Sequence, residues 1–276
     1  MKKWFAVIGD PIAHSKSPFM HNAWFQEMGI DAAYIPIHVK SEHLKEAVSA
    51  LKLLGASGWN VTVPHKEAII PFLDEIDPMA VKMGAVNTVV RTKDGKLKGY
   101  NTDGAGFVHS LEEAVGKNRE KKVLLIGAGG ASRGIAFALK EYGYQQVDIA
   151  NRTVSKAQAI IEELGEGTSL SLDEAEKRLD QYGIVIQATS LGLSTGEKKL
   201  PFSLDRLQKE TIVADIVYNP LMTPFLAQSK EKGATVVTGL GMFIHQGALA
   251  YSYWTDVYPK AAVVEDILLA NLGGNK

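Results

Sequence analysis

Residues 122–153 read KVLLIGAGGASRGIAFALKEYGYQQVDIANRT: an apolar run, a glycine-rich turn, a helical pattern and a second apolar run, in that order. Val123 to Ile126 has the length of a buried strand, and Gly127, Gly129 and Gly130 let the backbone turn sharply after it. Ile135, Ala138, Leu139 and Tyr142 then recur at helical spacing. Glycines in this setting bring backbone amides and a helix N-terminus against a pyrophosphate, whose charge the helix dipole favours. The pattern predicts a dinucleotide-binding βαβ unit with Gly127, Ala128, Gly129, Gly130 and Ala131 in its turn. Ser132 stands at the third fingerprint position, so strand and helix must pack around a slightly larger side chain than the generic glycine.

About twenty residues beyond the first glycine, an NAD-binding unit offers an acid to the ribose hydroxyls, and that acid repels the 2′-phosphate of NADP. This chain has Asn151 there, followed by Arg152, Thr153 and, one turn on, Lys156. Two cations and two neutral hydrogen-bonding groups suit a phosphate. Each hydrogen bond to a charged group is worth about 1.5–3 kcal/mol, so two or three favour NADP over NAD by about two decades or more. Asp148 falls inside the strand and reads as a non-ligand. A helix start with Thr153 as N-cap and Arg152 solvated accounts for the same residues in another way.

At 276 residues with 46% hydrophobic content, the chain exceeds the size at which single cores divide, so two domains are expected. A formal net charge of −1 and a pI near 6.7 argue against nucleic acid as a partner and for a small-molecule protein. The chain has no cysteine, hence no disulfide or thiolate metal site, which fits a reducing, cytoplasmic setting. The start MKKWFAVIGDP breaks at Gly9 too early for a signal peptide, and no run reaches membrane-spanning length. The histidines form no close ligand pair, and no metal is expected.

Strands at Trp4 to Ile8, Ala33 to Ile37, Gly58 to Val63 and Val86 to Val90 are expected, with helices from Pro18 and from about Glu42 between them. Asp94-Gly95 marks a hairpin turn into Leu97 to Tyr100. Further strands are expected at Ile184 to Gln187, Thr211 to Asp215 and Ala234 to Thr238, a helix start at Thr223-Pro224, and closing helices at Met242 to Tyr253 and Ala261 to Leu272. Leu193 to Lys199 reads as an exposed loop. Alternation of this kind predicts an α/β protein with parallel sheets.

Three strings in the first hundred residues gather hydroxyls, a lysine and an acid: HSKSP at 14–18, NVTVPHKE at 60–67 and NTDG at 101–104. Each residue has a plainer reading beside a functional one. Ser17 before Pro18 and Asp103 before Gly104 suit helix N-caps. Thr62 is ordinary strand material, though late in a strand that would aim it at the ligand-binding edge. Lys66 alone reads as a solvated surface group.

The strings HSKSP, NVTVPHK, GAVNT, NTDG, GAGGASRG, NRT, ATSLG, YNPLMTPF and GLGMFIHQG together resemble the shikimate dehydrogenases, in their order and over nearly the whole chain. The resemblance implies a mainly parallel substrate-binding domain at 1–103 and 240–276, a Rossmann-type NADP-binding domain at 104–239, and a cleft between them. It implies reversible NADPH-dependent reduction of 3-dehydroshikimate to shikimate, with Lys66 and Asp103 as catalytic pair. It assigns substrate to Ser15, Ser17, Thr62, Asn87 and Gln246, with Tyr218 near, and the cofactor side to Thr189, Ser190, Gly239 and Met242. Asn87 as a turn residue, Gln246 as an exposed helical position and Met242 as core remain the plainer readings. A monomer or homodimer is expected. The rival readings are a quinate/shikimate dehydrogenase using NAD or NADP, and a non-catalytic NADP-binding redox sensor, which would need neither Lys66 nor Asp103.

Overall fold

Apolar strands alternating with amphipathic helices build one six-stranded sheet in each of two units, 1–102 with 246–276, and 103–245. The computed structural model describes residues 2–193 and 200–271. The loop expected to run to Lys199 therefore lies, from 194 on, outside the described residues, as does the last residue of the helix expected to reach Leu272.

The first unit contains β1 (Lys3–Gly9), α1 (Ser17–Glu27), β2 (Ala32–His38), α2 (Leu44–Leu53), β3 (Gly58–Val61), β4 (Glu75–Ile76), α3 (Pro78–Met83), β5 (Thr88–Arg91) and β6 (Leu97–Tyr100). The sheet order is β2-β1-β3-β5-β6-β4. β1 pairs in parallel with β2 and β3, and β4 with β6, while the β5–β6 hairpin makes the antiparallel pairs. Gly95, at φ +82°, supplies the left-handed residue that the hairpin turn needs.

β1 and β2 each run one residue beyond expectation at both ends, and four further boundaries differ. β3 stops at Val61, leaving Thr62 beyond the strand, because the chain bends into Pro64. β5 starts at Thr88, because Val86 N–H donates to the Lys66 carbonyl and Asn87 N–H to that of Tyr100. A 3₁₀ turn at Ser41–His43 precedes α2, which begins at Leu44. Ser17 is the first residue of α1, not its N-cap; Lys16 holds that position, and no side chain caps the helix.

The second unit contains α4 (Asp103–Val115), β7 (Val123–Ile126), α5 (Gly130–Glu141), β8 (Val147–Ala150), α6 (Val154–Leu164), β9 (Ser169–Leu170), α7 (Leu172–Lys177), β10 (Ile184–Gln187), β11 (Ile212–Asp215), α8 (Pro224–Glu231) and β12 (Thr235–Val237). All its pairings are parallel, in the order β9-β8-β7-β10-β11-β12. Numbered from β7, that is 3-2-1-4-5-6, the doubly wound Rossmann order, with its switch point between β7 and β10. Strands buried on both faces explain the largely apolar VLLI, VDIA, IVIQ and IVAD runs.

α9 (Gly239–Thr255) and α10 (Ala262–Asn271) end the described chain. α9 already begins at Gly239, three residues before the expected Met242. Gly241 permits this, since a Cβ there would lie 2.1 Å from Ser110 Oγ on α4. In the first unit, Trp254 and Tyr251 of α9 close an aromatic core with Phe5, His21, Trp24, Phe25 and Tyr34. Both Trp24 and Trp254 donate their indole N–H to backbone carbonyls, of Lys260 and Val89. Each such ring buries about 150–250 Å², worth about 4–6 kcal/mol before ordering costs.

Candidate active site

At the carboxyl end of β7 the chain turns at Gly127, with φ +118°. A Cβ there would sit 2.8 Å from Ser132 Oγ, 3.0 Å from Thr189 Cγ2 and 3.1 Å from the Ala188 carbonyl oxygen. Glycine is thus required by conformation and by space. Gly129 and Gly130 are glycine for another reason: nothing among the described residues lies within 4 Å of where a Cβ would stand. The first turn of α5 faces open space on the side where backbone amides could receive a pyrophosphate, and the residues fit that group. Ser132 is fully buried and donates to the Ala188 carbonyl at 3.2 Å, so the larger third residue ties this turn to the end of β10.

β8 delivers Asn151 to the same edge of the sheet. Its side-chain amide donates to the Thr153 carbonyl at 2.9 Å and braces the turn into α6. Thr153 does precede α6, but its hydroxyl makes no capping bond, so only half of the N-cap reading holds. One cavity of about 360 Å³ is lined by Gly127, Ala128, Gly129, Asn151, Arg152, Thr153, Lys156, Thr189 and Ser190. Asp148 is turned away from it: its carboxylate accepts from Thr168 N–H at 2.8 Å and Tyr182 Oη at 2.8 Å, and pairs with Lys122 Nζ at 2.9 Å. The cavity edge is therefore cationic, and among the described residues none that lines it is an acid that would repel a phosphate on the ribose.

Gly239, Met242 and Tyr218 are not among the residues lining that cavity. Gly239 opens α9, where a Cβ would stand 2.4 Å from the Ile216 carbonyl oxygen. Met242 is half-buried, and the Tyr218 ring stacks on Phe243 at 4.8 Å. Burial raises the Tyr218 pKa above the usual phenol value, which keeps it a neutral donor.

In the first unit a buried hydrogen-bond chain joins several predicted residues. Ser17 bonds the hydroxyl of Tyr34, which donates to Asn60 Oδ1 at 2.7 Å. Asn60 Nδ2 donates to the Asn87 carbonyl and to Thr88 Oγ1, both at 3.1 Å. The Asn87 side chain binds Thr102 twice at 2.9 Å, accepting from its backbone N–H and donating to its hydroxyl. Asn87 therefore fixes the residue immediately before Asp103, which opens α4. Ser15, half-exposed, accepts from Ser17 N–H at 3.3 Å.

Thr62 and Lys66 lie on the turn after β3, both half-buried. That turn is anchored by His65, 1% exposed, whose Nε2 bonds the Val39 carbonyl at 2.6 Å. His65 and Lys66 thus differ in surroundings, as chain neighbours on a turn do. Gln246, on α9, is half-buried.

Tyr34, Asn60, Thr88 and Thr102 escaped the sequence reading, as did Gln187 and Asp215 at the ends of β10 and β11. The available signal was a polar residue in an otherwise apolar strand, as in GWNV, IVIQ and IVAD. Among the described residues, no group of three or more histidines and carboxylates could hold a metal, and no helix is long and apolar enough to cross a membrane.

Three family models match consecutive stretches: the shikimate dehydrogenase substrate binding domain at 7–89, shikimate / quinate 5-dehydrogenase at 110–218, and the shikimate 5′-dehydrogenase C-terminal domain at 239–269. Shikimate dehydrogenase (NADP(+)) of Lysinibacillus sphaericus is 65% identical over 276 residues, the whole of both chains. The Listeria monocytogenes enzyme solved with shikimate and NAD is 34% identical, with 97% and 96% of the chains covered and a TM-score of 0.91. The Thermus thermophilus enzyme solved with NADP(H) and shikimate is 37% identical, with 96% and 97% covered and a TM-score of 0.85.

Proposed function

This chain belongs to the shikimate dehydrogenase family, and we propose that Lys66 and Asp103 carry its chemistry. The reaction is the reversible, NADPH-dependent reduction of 3-dehydroshikimate to shikimate, a step of aromatic amino-acid biosynthesis. Residues 1–102 with 246–276 bind the substrate, and residues 103–245 bind NADP. The cationic cavity carries the cofactor assignment: one space joins the Gly127–Gly129 turn to Asn151, Arg152, Thr153 and Lys156. Arg152 and Lys156 hold the 2′-phosphate there, and the N-terminus of α5 holds the pyrophosphate.

NADPH, when bound, supplies the hydride. Lys66 Nζ stabilises the charge that develops on the substrate's carbonyl oxygen and delivers the proton that makes it a hydroxyl. Asp103 is the second member of the pair through which the proton passes. In the oxidising direction Lys66 takes the hydroxyl proton. Ser15, Ser17, Thr62, Asn87 and Gln246 present hydroxyls and amides to the substrate's carboxylate and hydroxyls, and Tyr218 is assigned to the same substrate. The bonds from Ser17 to Tyr34 and from the Asn87 side chain to Thr102 support this reading, since they hold those two side chains in place before substrate arrives. The enzyme acts in the cytoplasm as a monomer or homodimer. Lys66→Met tests the central assignment: turnover falls by about 10²–10⁴-fold while shikimate still binds in a titration. Retention of most of the turnover would remove Lys66 from the proton's path.

A further inference from the structure

Gln187 and Asp215 are the last residues of β10 and β11, stand opposite each other in the parallel register, and are each 1% exposed. Gln187 Oε1 accepts the Thr189 N–H at 2.6 Å, and its Nε2 donates to the Leu191 carbonyl at 3.0 Å. One side-chain amide thus closes the 188–191 turn, of which Thr189, Ser190 and Leu191 line the cationic cavity. The same amide donates to Asp215. The Asp215 carboxylate also accepts from Val217 N–H at 3.0 Å and from the Thr223 hydroxyl at 2.7 Å.

The orientation of Gln187 matters, because a flipped amide would set donor against donor at Thr189 and acceptor against acceptor at Leu191. An ionised carboxylate only accepts, so Asp215 admits Nε2 on its side and enforces the productive orientation. Among the described residues Asp215 has no ion-pair partner, and a buried, unpaired carboxylate is costly to keep. Burial raises its pKa to about 6. A neutral side chain would serve the fold at lower cost, which leaves the charge to be explained by the loop it controls.

We propose that Asp215 is a positioning residue for the dinucleotide: through Gln187 it sets the shape of the 188–191 turn on the wall of the cofactor cavity. This rests on that cavity's being the NADP site. Asp215→Asn, Gln187→Met and the double variant in the full chain test it, by calorimetric titration with NADP, by the KM for shikimate and by thermal unfolding. Each single variant is expected to weaken NADP binding about tenfold, the scale of one or two hydrogen bonds to a charged or backbone group. The KM for shikimate stays within about twofold, and the double variant binds NADP no worse than Gln187→Met, because Asp215 acts through Gln187. NADP binding within about twofold of the unaltered protein in either folded single variant overturns the proposal, as does a purely additive double variant. Equal weakening toward both ligands alongside a lowered Tm also overturns it, since that is the mark of a merely structural role. Should Asp215→Asn not fold, Asp215→Ser is titrated in its place, and NADP binding within about twofold of the unaltered protein overturns the proposal. Failure of the unaltered chain to bind NADP overturns the cavity assignment itself, and is seen before any variant is compared.

Discussion

Gly127→Ala and Gly129→Ala, two substitutions of the same size in the same turn, are expected to fail in different ways. At Gly127 the added methyl meets Ser132 Oγ at 2.8 Å, Thr189 Cγ2 at 3.0 Å and a backbone carbonyl at 3.1 Å, at a φ of +118°. Forcing a side chain into that conformation costs about 1–3 kcal/mol, and overpacking a buried site costs about 1–3 kcal/mol more. The sum, about 2–6 kcal/mol, is a large part of the total of about 5–15 kcal/mol that holds a domain folded. Gly129 sits at φ −92° with nothing within 4 Å of its missing Cβ. An alanine there changes stability by no more than about 0.5 kcal/mol, but its methyl occupies the space that a pyrophosphate needs. Urea unfolding followed by far-ultraviolet circular dichroism, with NADP titration of each folded protein, separates the two. Gly127→Ala loses both stability and cofactor; Gly129→Ala loses cofactor alone, by about tenfold or more. Equal stability of the two variants would refute the packing argument, and undiminished NADP binding by Gly129→Ala would refute the cradle.

Arg152→Ala should weaken NADP by about 10–150-fold, the scale of a charged hydrogen bond, and leave NAD little changed; steady-state KM values for the two cofactors read this directly, and equal losses would remove Arg152 from the phosphate. His21 is fully buried, stacked on Tyr34 at 4.3 Å, and among the described residues neither ring nitrogen has a hydrogen-bond partner. Burial lowers its pKa from 6.5 to about 3, so between those values the unfolded chain binds the extra proton and the fold does not. Stability from this group is complete above pH 6.5 and is lost as pH falls toward 3, by up to about 1.4 kcal/mol per pH unit. His21→Phe should flatten that part of a pH series of urea unfolding curves, and an unchanged slope would contradict the assignment.

The glycine turn was legible because its residues answer to backbone geometry that few other residues satisfy, and a parallel sheet because apolar runs alternated with helical patterns; the Rossmann-type domain came with the family resemblance, and its strand order only with the fold. Asn151, Arg152 and Lys156 were legible as a group because a strand end and one helical turn fix where they stand. Boundaries were less so: Thr62 looked like strand until Pro64 bent the chain, and the helix expected from Met242 begins at Gly239, with Gly241 packed closely on Ser110. The polar chain from Tyr34 to Thr102 was invisible, since its bonds join residues 26 and 15 positions apart, and no local spacing records them. Asp148 was rightly set aside by its place in the strand, yet its partners, Tyr182 and Lys122, could come only from the fold.

The most direct test is steady-state turnover of the purified protein, followed by nicotinamide absorbance, with shikimate or quinate as alcohol and NADP or NAD as oxidant. Shikimate with NADP should exceed shikimate with NAD in kcat/KM by about two decades, with little turnover of quinate. Comparable rates with NAD would contradict the role given to Arg152 and Lys156, and absence of turnover with every pair, in protein that binds NADP, would contradict the enzyme.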